Sequence, residues 1–223
     1  MAAFFTKEIT SFLKELTENN NRDWFNLNKE RFKKHAELPF HQFIEKLIEK
    51  IKERDPRITI TSKEAVFRIY KDIRFSKDKT PYKEHLSALI SPGGRKDPNT
   101  PGVYLELKKD GINIYSGVYE PDPKQLLKIR LYIASHLKEF EKAITDKKFV
   151  KRFGKVLGEK NKVLPSDLKD AAQKQELIYN KNFYYVASLD KSCITSDKLL
   201  KEVVQCFADA DTMSSFLNKA LKS

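Results

Sequence analysis

The sequence predicts a single α+β domain over residues 1–223, with a central, mostly antiparallel sheet flanked by helices. Three observations predict this class: the first fifty residues have a helical period, the period changes to two after Pro56, and the helical period returns after Asp122. Helices followed by strands and then by helices favour α+β over alternating βαβ units. At 223 residues the chain is long enough to bury a core without a metal or a disulfide.

Three helices are predicted at the N-terminus. An apolar stripe that begins at Phe5 is interrupted by the three asparagines at 19–21. Asn21 is expected to cap the second helix, because an asparagine side chain accepts hydrogen bonds from the free backbone N–H groups of a first helical turn. The third helix is expected to begin near Pro39 and to end before Pro56.

Extended segments with a period of two follow, and three of them are predicted as strands: Ile58–Thr61, Val66–Phe75 and His85–Ile90. A loop rich in proline and glycine is expected over 91–102. The clearest local signal is a hairpin at 103–119, since Asp110-Gly111 suits a two-residue turn between antiparallel strands.

Helices and one more strand complete the predicted fold. Asp122-Pro123 begins a long helix, with an aspartate at the N-cap and a proline at the first helical position. A short basic helix or loop is expected over 149–158, a strand over 182–189, and one or two closing helices over 196–220.

Composition excludes several classes of protein. The chain is 40% hydrophobic and 33% charged with only 7 glycines, which excludes collagen and low-complexity disorder. Cys193 and Cys206 are too few for a zinc site, and no apolar run is long enough to span a membrane. The start lacks the order of a secretory signal, so the sequence predicts a cytoplasmic protein without a membrane partner. No nucleotide-binding or dinucleotide-binding motif is present, and neither a cofactor nor an oligomeric state is predicted.

Positive charge is concentrated in two segments. The formal net charge is +12; Arg68–Lys83 carries six basic residues against two acidic ones, and Asp146–Lys162 carries seven against two. A focused basic surface attracts phosphates and nucleic acids. The alternative for the lysine-rich second segment is a solvated surface that keeps the protein soluble.

The first basic segment contains the candidate functional residues. If Val66–Phe75 is a strand, its apolar side chains face the core, and the other face presents Arg68, Tyr70, Asp72 and Arg74. Arginine binds phosphate or carboxylate through two parallel hydrogen bonds, and Asp72 between two cations is expected to stay ionised. Alternatively, these charges simply pair with one another on a solvent-facing strand.

A weaker motif lies in the predicted hairpin. Glu106-Leu107-Lys108, preceded by Asp97 or Asp72, matches the E-x-K half of many metal-dependent nuclease sites. This pattern is common on any outward strand face, so no metal site is predicted from it.

The basic segment resembles the signature of the DUF2461 family, R-x-x-R-D-x-R-F-x-x-x-K-x-P-Y. The matching positions are Arg68, Asp72, Arg74, Phe75, Lys79, Pro81 and Tyr82, with Lys71 where the pattern has arginine. Asn19–Phe25 is similar to the family's N-N-x-R-[DE]-W-F element. Gly117–Pro121 and the helical Arg130 resemble later family positions. The resemblance covers nearly the whole chain, and the family is one of unknown function.

The resemblance favours a functional site, since a purely solvated strand does not need specified charges at these positions. The expected site is a pocket for an anionic, phosphate-bearing small ligand or nucleotide, formed by Arg68, Asp72, Arg74, Lys79, Tyr82 and Arg130. Arg130 lies inside an apolar helical stripe and therefore needs an anion, for which Asp72 or Asp23 is a candidate.

Two alternatives stay open at this point. One is a nucleic-acid-binding module in which both basic segments follow the phosphates. The other is a structural or interaction protein in which the charged strand face is an internal ion-pair network. Whether the chain is an enzyme is not predicted.

Overall fold

Residues 2–97 and 102–223 are described by a computed structural model, in which the chain divides into two units. The N-terminal unit comprises residues 1–96, 104–114 and 188–204. The C-terminal unit comprises residues 97–103, 115–187 and 205–223. Of the predicted loop at 91–102, residues 98–101 lie outside the described part of the chain.

An antiparallel sheet surrounded in sequence by helices confirms the predicted α+β class. Its strands follow the order β1-β2-β3-β4. Their bounds are Leu86–Ile90 for β1, Gly102–Lys108 for β2, Gly111–Val118 for β3 and Phe183–Asp190 for β4. The predicted hairpin is confirmed as β2 and β3, joined by Lys109 and Asp110. One side of the hairpin is buried, because the apolar side chains alternate along both strands.

The first five α-helices lie wholly within the N-terminal unit: α1 (Lys7–Glu18), α2 (Arg22–Leu27), α3 (Lys29–Phe32), α4 (Leu38–Lys52) and α5 (Ser62–Ala65). The predicted cap is confirmed, since the Asn21 side chain accepts a hydrogen bond from the backbone N–H of Trp24 at 2.9 Å. One turn of π-helix joins α3 to α4. The core of this unit is strongly aromatic, with Phe12, Phe25, Phe32 and Phe43 all buried.

Two predicted strands of this unit are wrong. Ile58–Thr61 has no regular secondary structure and is not paired in the sheet, and it leads into α5. Val66–Phe75 forms only isolated bridges, of Val66 with Ala88 and of Tyr70 with Tyr82. Phe75, predicted on the core face, is 95% exposed.

Residues 66–75 do not form a continuous strand, because aspartate side chains accept hydrogen bonds from backbone N–H groups that strand pairing would need. Asp72 accepts from the backbone N–H of Arg74, and Asp78 accepts from that of Thr80. Such local hydrogen bonds favour turns over regular strands. Pro81 also lacks the N–H that a continuous ladder would use.

The remaining helices are α6 (Pro123–Ser135), α7 (Leu137–Ile144), α8 (Lys147–Phe153), α9 (Lys169–Lys174), α10 (Leu199–Asp209) and α11 (Asp211–Lys222). Asp122 caps α6 as predicted, accepting from the backbone N–H groups of Lys124 and Gln125. The long helix predicted after residue 122 is confirmed as α6, and a break in helical geometry at His136 separates it from α7. Among the described residues, no helix combines the length and the apolarity needed to cross a membrane.

Candidate functional site

A pocket of about 350 Å³ lies in the N-terminal unit. It is formed by one side of α2 and by the segment 70–82, and its lining residues are Arg22, Asn26, Tyr70, Lys71, Ile73, Pro81 and Tyr82. Two stretches that are about fifty residues apart in sequence therefore meet at one concave surface.

Asn20 joins these two stretches. Its side-chain Nδ2 donates to the backbone carbonyl of Tyr82 at 3.0 Å, and its Oδ1 accepts from the backbone N–H of Tyr82 at 3.1 Å. Asn21 caps α2 in the next position, so two adjacent asparagines determine where α2 begins and where it lies against Tyr82. Because hydrogen bonds are directional, these contacts with the backbone fix the position of α2 relative to Tyr82 in the pocket wall.

The segment 69–83 folds back on itself as an irregular hairpin. The backbone N–H of Lys71 donates to the carbonyl of Pro81 at 2.9 Å, and the backbone N–H of Lys83 donates to the carbonyl of Ile69 at 2.8 Å. This pairing brings the rings of Tyr70 and Tyr82 to a centroid distance of 5.3 Å. The pocket therefore has two neighbouring tyrosines from one folded segment.

The two tyrosines differ in exposure. Tyr82 is 3% exposed and stacks on Phe25 of α2 with 4.0 Å between the ring centroids. Burial raises the pKa of Tyr82, the nearby Tyr70 adds to this, and the positive charge of Arg22 opposes it. Tyr70 is 46% exposed, so part of its surface is available to a ligand.

Two cations line the pocket, and they differ in their partners. Lys71 Nζ donates to Asp78 Oδ2 and to Thr80 Oγ1, both at 2.7 Å. Arg22 is exposed and forms no hydrogen bond or ion pair through its guanidinium with any residue in 2–97 or 102–223. Its donors are therefore free to bind an anion at the mouth of the pocket.

Of the six residues predicted to form the site, Tyr82 lines this pocket and the others lie elsewhere. Asp72 and Arg74 form a two-point ion pair, with 2.9 Å from Nε to Oδ1 and 2.7 Å from Nη2 to Oδ2. Lys79 Nζ donates to the carbonyl of Ile73 at 3.0 Å. Arg68 is exposed and, within the described ranges, makes no hydrogen bond or ion pair.

Asp72 is ionised, as expected, although the cause differs from the predicted pair of flanking cations. Hydrogen bonds from the side chain and the backbone of Arg74 are the main causes that lower the pKa of Asp72 to about 2, and Arg68 contributes little. The pair is exposed, since the side chains of Arg74 and Asp72 keep 75% and 48% of their accessible surface.

Arg130 belongs to the C-terminal unit, where it is only 5% exposed. Its Nη2 donates to the backbone carbonyl of Asn180 at 2.9 Å and to that of Tyr179 at 3.4 Å. Burial lowers the pKa of this guanidinium. The predicted pairing of Arg130 with Asp72 or Asp23 is wrong, because peptide carbonyls accept its hydrogen bonds.

Sequence reasoning missed Arg22 and Asn26 as parts of a site, and it placed Tyr70 on the charged strand face without including it among the expected ligand-binding residues. The available signal was the pair of motifs at 19–25 and 68–82, both of which resembled family elements. Nothing within either motif indicates that the two meet in space. No group of three or more histidine, cysteine, aspartate or glutamate side chains in residues 2–97 and 102–223 could hold a metal ion.

Comparison with known proteins identifies one similarity. A family model described as a conserved hypothetical protein (DUF2461) matches residues 8–216 of the 223-residue chain. No curated protein and no solved structure is significantly similar to the chain.

Proposed function

The chain belongs to the DUF2461 family, for which no function is established, and from the site itself we propose that it binds a small phosphate-bearing ligand that also carries a ring. The pocket formed by α2 and the segment 70–82 is the binding site in this proposal. The observation that supports it most is a free guanidinium, that of Arg22, at the mouth of a pocket lined by two tyrosines.

Each part of the ligand has a matching part of the pocket. The phosphate is expected to bind Arg22, whose planar donors suit two phosphate oxygens at once. Lys71 adds positive charge, although Asp78 already neutralises part of it. The ring is expected to pack on the exposed surface of Tyr70, because flat rings stack on aromatic side chains.

A volume of about 350 Å³ fits a ligand of nucleotide or sugar-phosphate size, since small-molecule pockets begin at roughly 300 Å³. The buried Tyr82 and its stack on Phe25 keep the floor of the pocket rigid. A preformed floor lowers the cost of binding, because less freedom is lost when the ligand enters.

Thermal shift with a panel of nucleotides, sugar phosphates and inorganic phosphate tests the proposal. A ligand at 100 times its Kd stabilises the folded state by about 2.7 kcal/mol, which for a chain of this size raises the Tm by roughly 5–10 °C. Compounds with both a ring and a phosphate are expected to outperform inorganic phosphate.

Arg22→Met is the variant that removes the proposed phosphate contact, and Arg54→Met is its matched control. Arg54 is an exposed arginine of the same unit, just after α4, and it does not line the pocket. We expect the ligand-induced shift to disappear in Arg22→Met and to persist in Arg54→Met. No shift with any member of the panel, or equal loss in both variants, would contradict the proposal.

A further inference from the structure

A second group of charged side chains lies in the N-terminal unit, and none of its members lines the pocket. It consists of Lys83, His85, Glu106 and Lys108, and we call it the β2-face cluster. Lys83 and His85 precede β1, while Glu106 and Lys108 lie on β2, the neighbouring strand of the sheet. The four side chains thus come from two neighbouring segments of the chain.

Glu106 is at the centre of the cluster. Lys108 Nζ lies 2.9 Å from Glu106 Oε2, and His85 Nε2 lies 3.9 Å from Glu106 Oε1. The side chain of Glu106 keeps only 15% of its accessible surface, and that of His85 keeps 26%. A single carboxylate thus faces a lysine on one side and an imidazole on the other.

Lys83 is positively charged, and within the described part of the chain no acidic side chain forms an ion pair with it. Its Nζ lies 5.0 Å from the centre of the Phe67 ring and forms no hydrogen bond or ion pair in residues 2–97 and 102–223. Burial and then the nearby Arg68 lower the pKa of Lys83, and Glu106 opposes them. A partly buried ammonium without an anion is costly, and a bound anion would remove that cost.

The charges do not balance within the cluster. Lys83 and Lys108 carry two positive charges, Arg68 adds a third nearby, and Glu106 carries one negative charge. Burial is the main cause that lowers the pKa of His85, which favours its neutral imidazole; Lys83, Lys108 and Lys71 add to this, and Glu106 opposes it. An excess of positive charge in a partly desolvated place attracts a multivalent anion.

We propose that the β2-face cluster binds a phosphate group and that His85 takes up a proton when the phosphate binds. Lys83, Lys108 and Arg68 would donate to the phosphate oxygens. The bound anion would favour the imidazolium form of His85, which becomes an additional donor. None of the four residues of the cluster lines the proposed pocket, although Lys71 of the pocket also lowers the pKa of His85.

Proton NMR of the four histidine side chains tests the proposal at the residue concerned. The imidazole signals are titrated with pH in chloride, inorganic phosphate and sulfate at equal ionic strength. Sulfate keeps a constant charge over this range, so its effect cannot arise from titration of the ion itself. We expect phosphate and sulfate to raise the pKa of His85 and to leave His35, His41 and His136 unchanged. No change at His85, or equal changes at all four, would overturn the proposal.

Two substitutions give opposite effects. In chloride, Lys83→Met is expected to raise the pKa of His85, since it removes a repelling cation, and Glu106→Gln is expected to lower it. In phosphate, Lys83→Met should weaken binding about tenfold, the usual loss of one charge-assisted hydrogen bond. Glu106→Gln should strengthen binding, because it removes the negative charge that competes with phosphate.

Lys14→Met is the matched control, because Lys14 is an exposed lysine on α1 of the same unit. It is expected to leave both the His85 titration and phosphate binding unchanged. Unaltered phosphate affinity in Lys83→Met would overturn the proposal even if the pocket ligand is found, and loss of the pocket ligand in Arg22→Met would not affect it.

Discussion

At the scale of single residues, the first question is whether the Asp72–Arg74 ion pair stabilises the fold or is only a surface contact. Their two-point contact is exposed, and solvent screens exposed ion pairs strongly. The surrounding hairpin is also held by backbone hydrogen bonds that do not involve either side chain. The geometry therefore favours a small contribution of this pair to folding.

We expect Arg74→Ala to unfold at nearly the same temperature as the parent protein. Calorimetry at pH 7 is the measurement, and circular dichroism at room temperature checks that the fold is kept. A large drop in Tm would support the alternative in which the charged segment is an ion-pair network that holds the fold together.

Arg31 is the ion-paired residue for which we expect a measurable contribution to stability. It lies 2.6 Å from Glu15 and also contacts Glu8, both on α1, and its own side chain is 26% exposed. The hydrogen bond from Arg31 is the main cause that lowers the pKa of Glu15 from 4.5. The same contacts raise the pKa of Arg31.

Arg31→Met should therefore destabilise the protein by about 1 kcal/mol at pH 7, a value reduced for screening because Glu15 is 41% exposed. A carboxylate whose pKa is depressed in the folded state stabilises it above the unfolded pKa, near 4.5, and this contribution is lost as the pH falls below that value. The difference between parent and variant should accordingly shrink between neutral and acid pH. Urea unfolding at several pH values measures it, and a difference independent of pH would contradict the assignment.

At the scale of elements, the close approach of β3 to β4 requires a glycine at position 117. Gly117 has a φ of 105°, and a Cβ there would lie 2.3 Å from the carbonyl oxygen of Phe183. Gly154, after α8, has a φ of 74° but no atom within 4 Å of such a Cβ. Both glycines have a positive φ, but an added Cβ would clash with a neighbouring atom only at Gly117. Comparing alanine substitutions at the two positions therefore measures the cost of the clash apart from the cost of backbone strain.

Gly117→Ala is expected to cost roughly 3 kcal/mol, and Gly154→Ala about 1 kcal/mol, since only the first adds a clash to the strain of a positive φ. Chemical denaturation of both variants gives the comparison. Equal losses would mean that β4 moves away at little cost.

The junction between the start of α2 and the hairpin at 69–83 depends on Asn20. Asn20→Ala removes both hydrogen bonds to the Tyr82 backbone, and we expect a loss of about 2 kcal/mol together with weaker ligand binding in the pocket. Asn20→Asp keeps the acceptor for the Tyr82 N–H and loses the donor, so its effect should be intermediate. Thermal unfolding with and without ligand measures both effects; equal stability of the two variants would contradict this account.

At the scale of the whole molecule, the net charge of +12 is expected to make the stability of the protein depend on salt concentration. Like charges repel one another in the folded state, and dissolved salt weakens this repulsion over a Debye length of about 10 Å at 0.1 M. The ion pairs that salt also weakens are largely exposed, and each contributes little.

We therefore expect the Tm to rise as sodium chloride is increased from about 0.02 M to about 0.3 M at pH 7. A specific anion site would add a further rise with phosphate or sulfate at equal ionic strength. A Tm that falls with sodium chloride would mean that attractive pairs outweigh the repulsion. Nucleic-acid binding stays a prediction, and steep weakening by the same salt series is its expected behaviour.

Several features could be predicted from the amino-acid sequence alone: the family, the α+β class, the cap of α2 by Asn21, the start of α6 at Asp122 and the hairpin around Asp110. These features depend on residues a few positions apart, whose periodicity and hydrogen bonding can be read along the chain. The three-dimensional structure was needed to show that 66–75 is an irregular hairpin arm, that Arg130 donates to backbone carbonyls, and that Arg22 and Tyr82 share a pocket. Those outcomes depend on contacts between residues far apart in sequence, such as Asn20 and Tyr82, and no local pattern encodes which distant groups will meet.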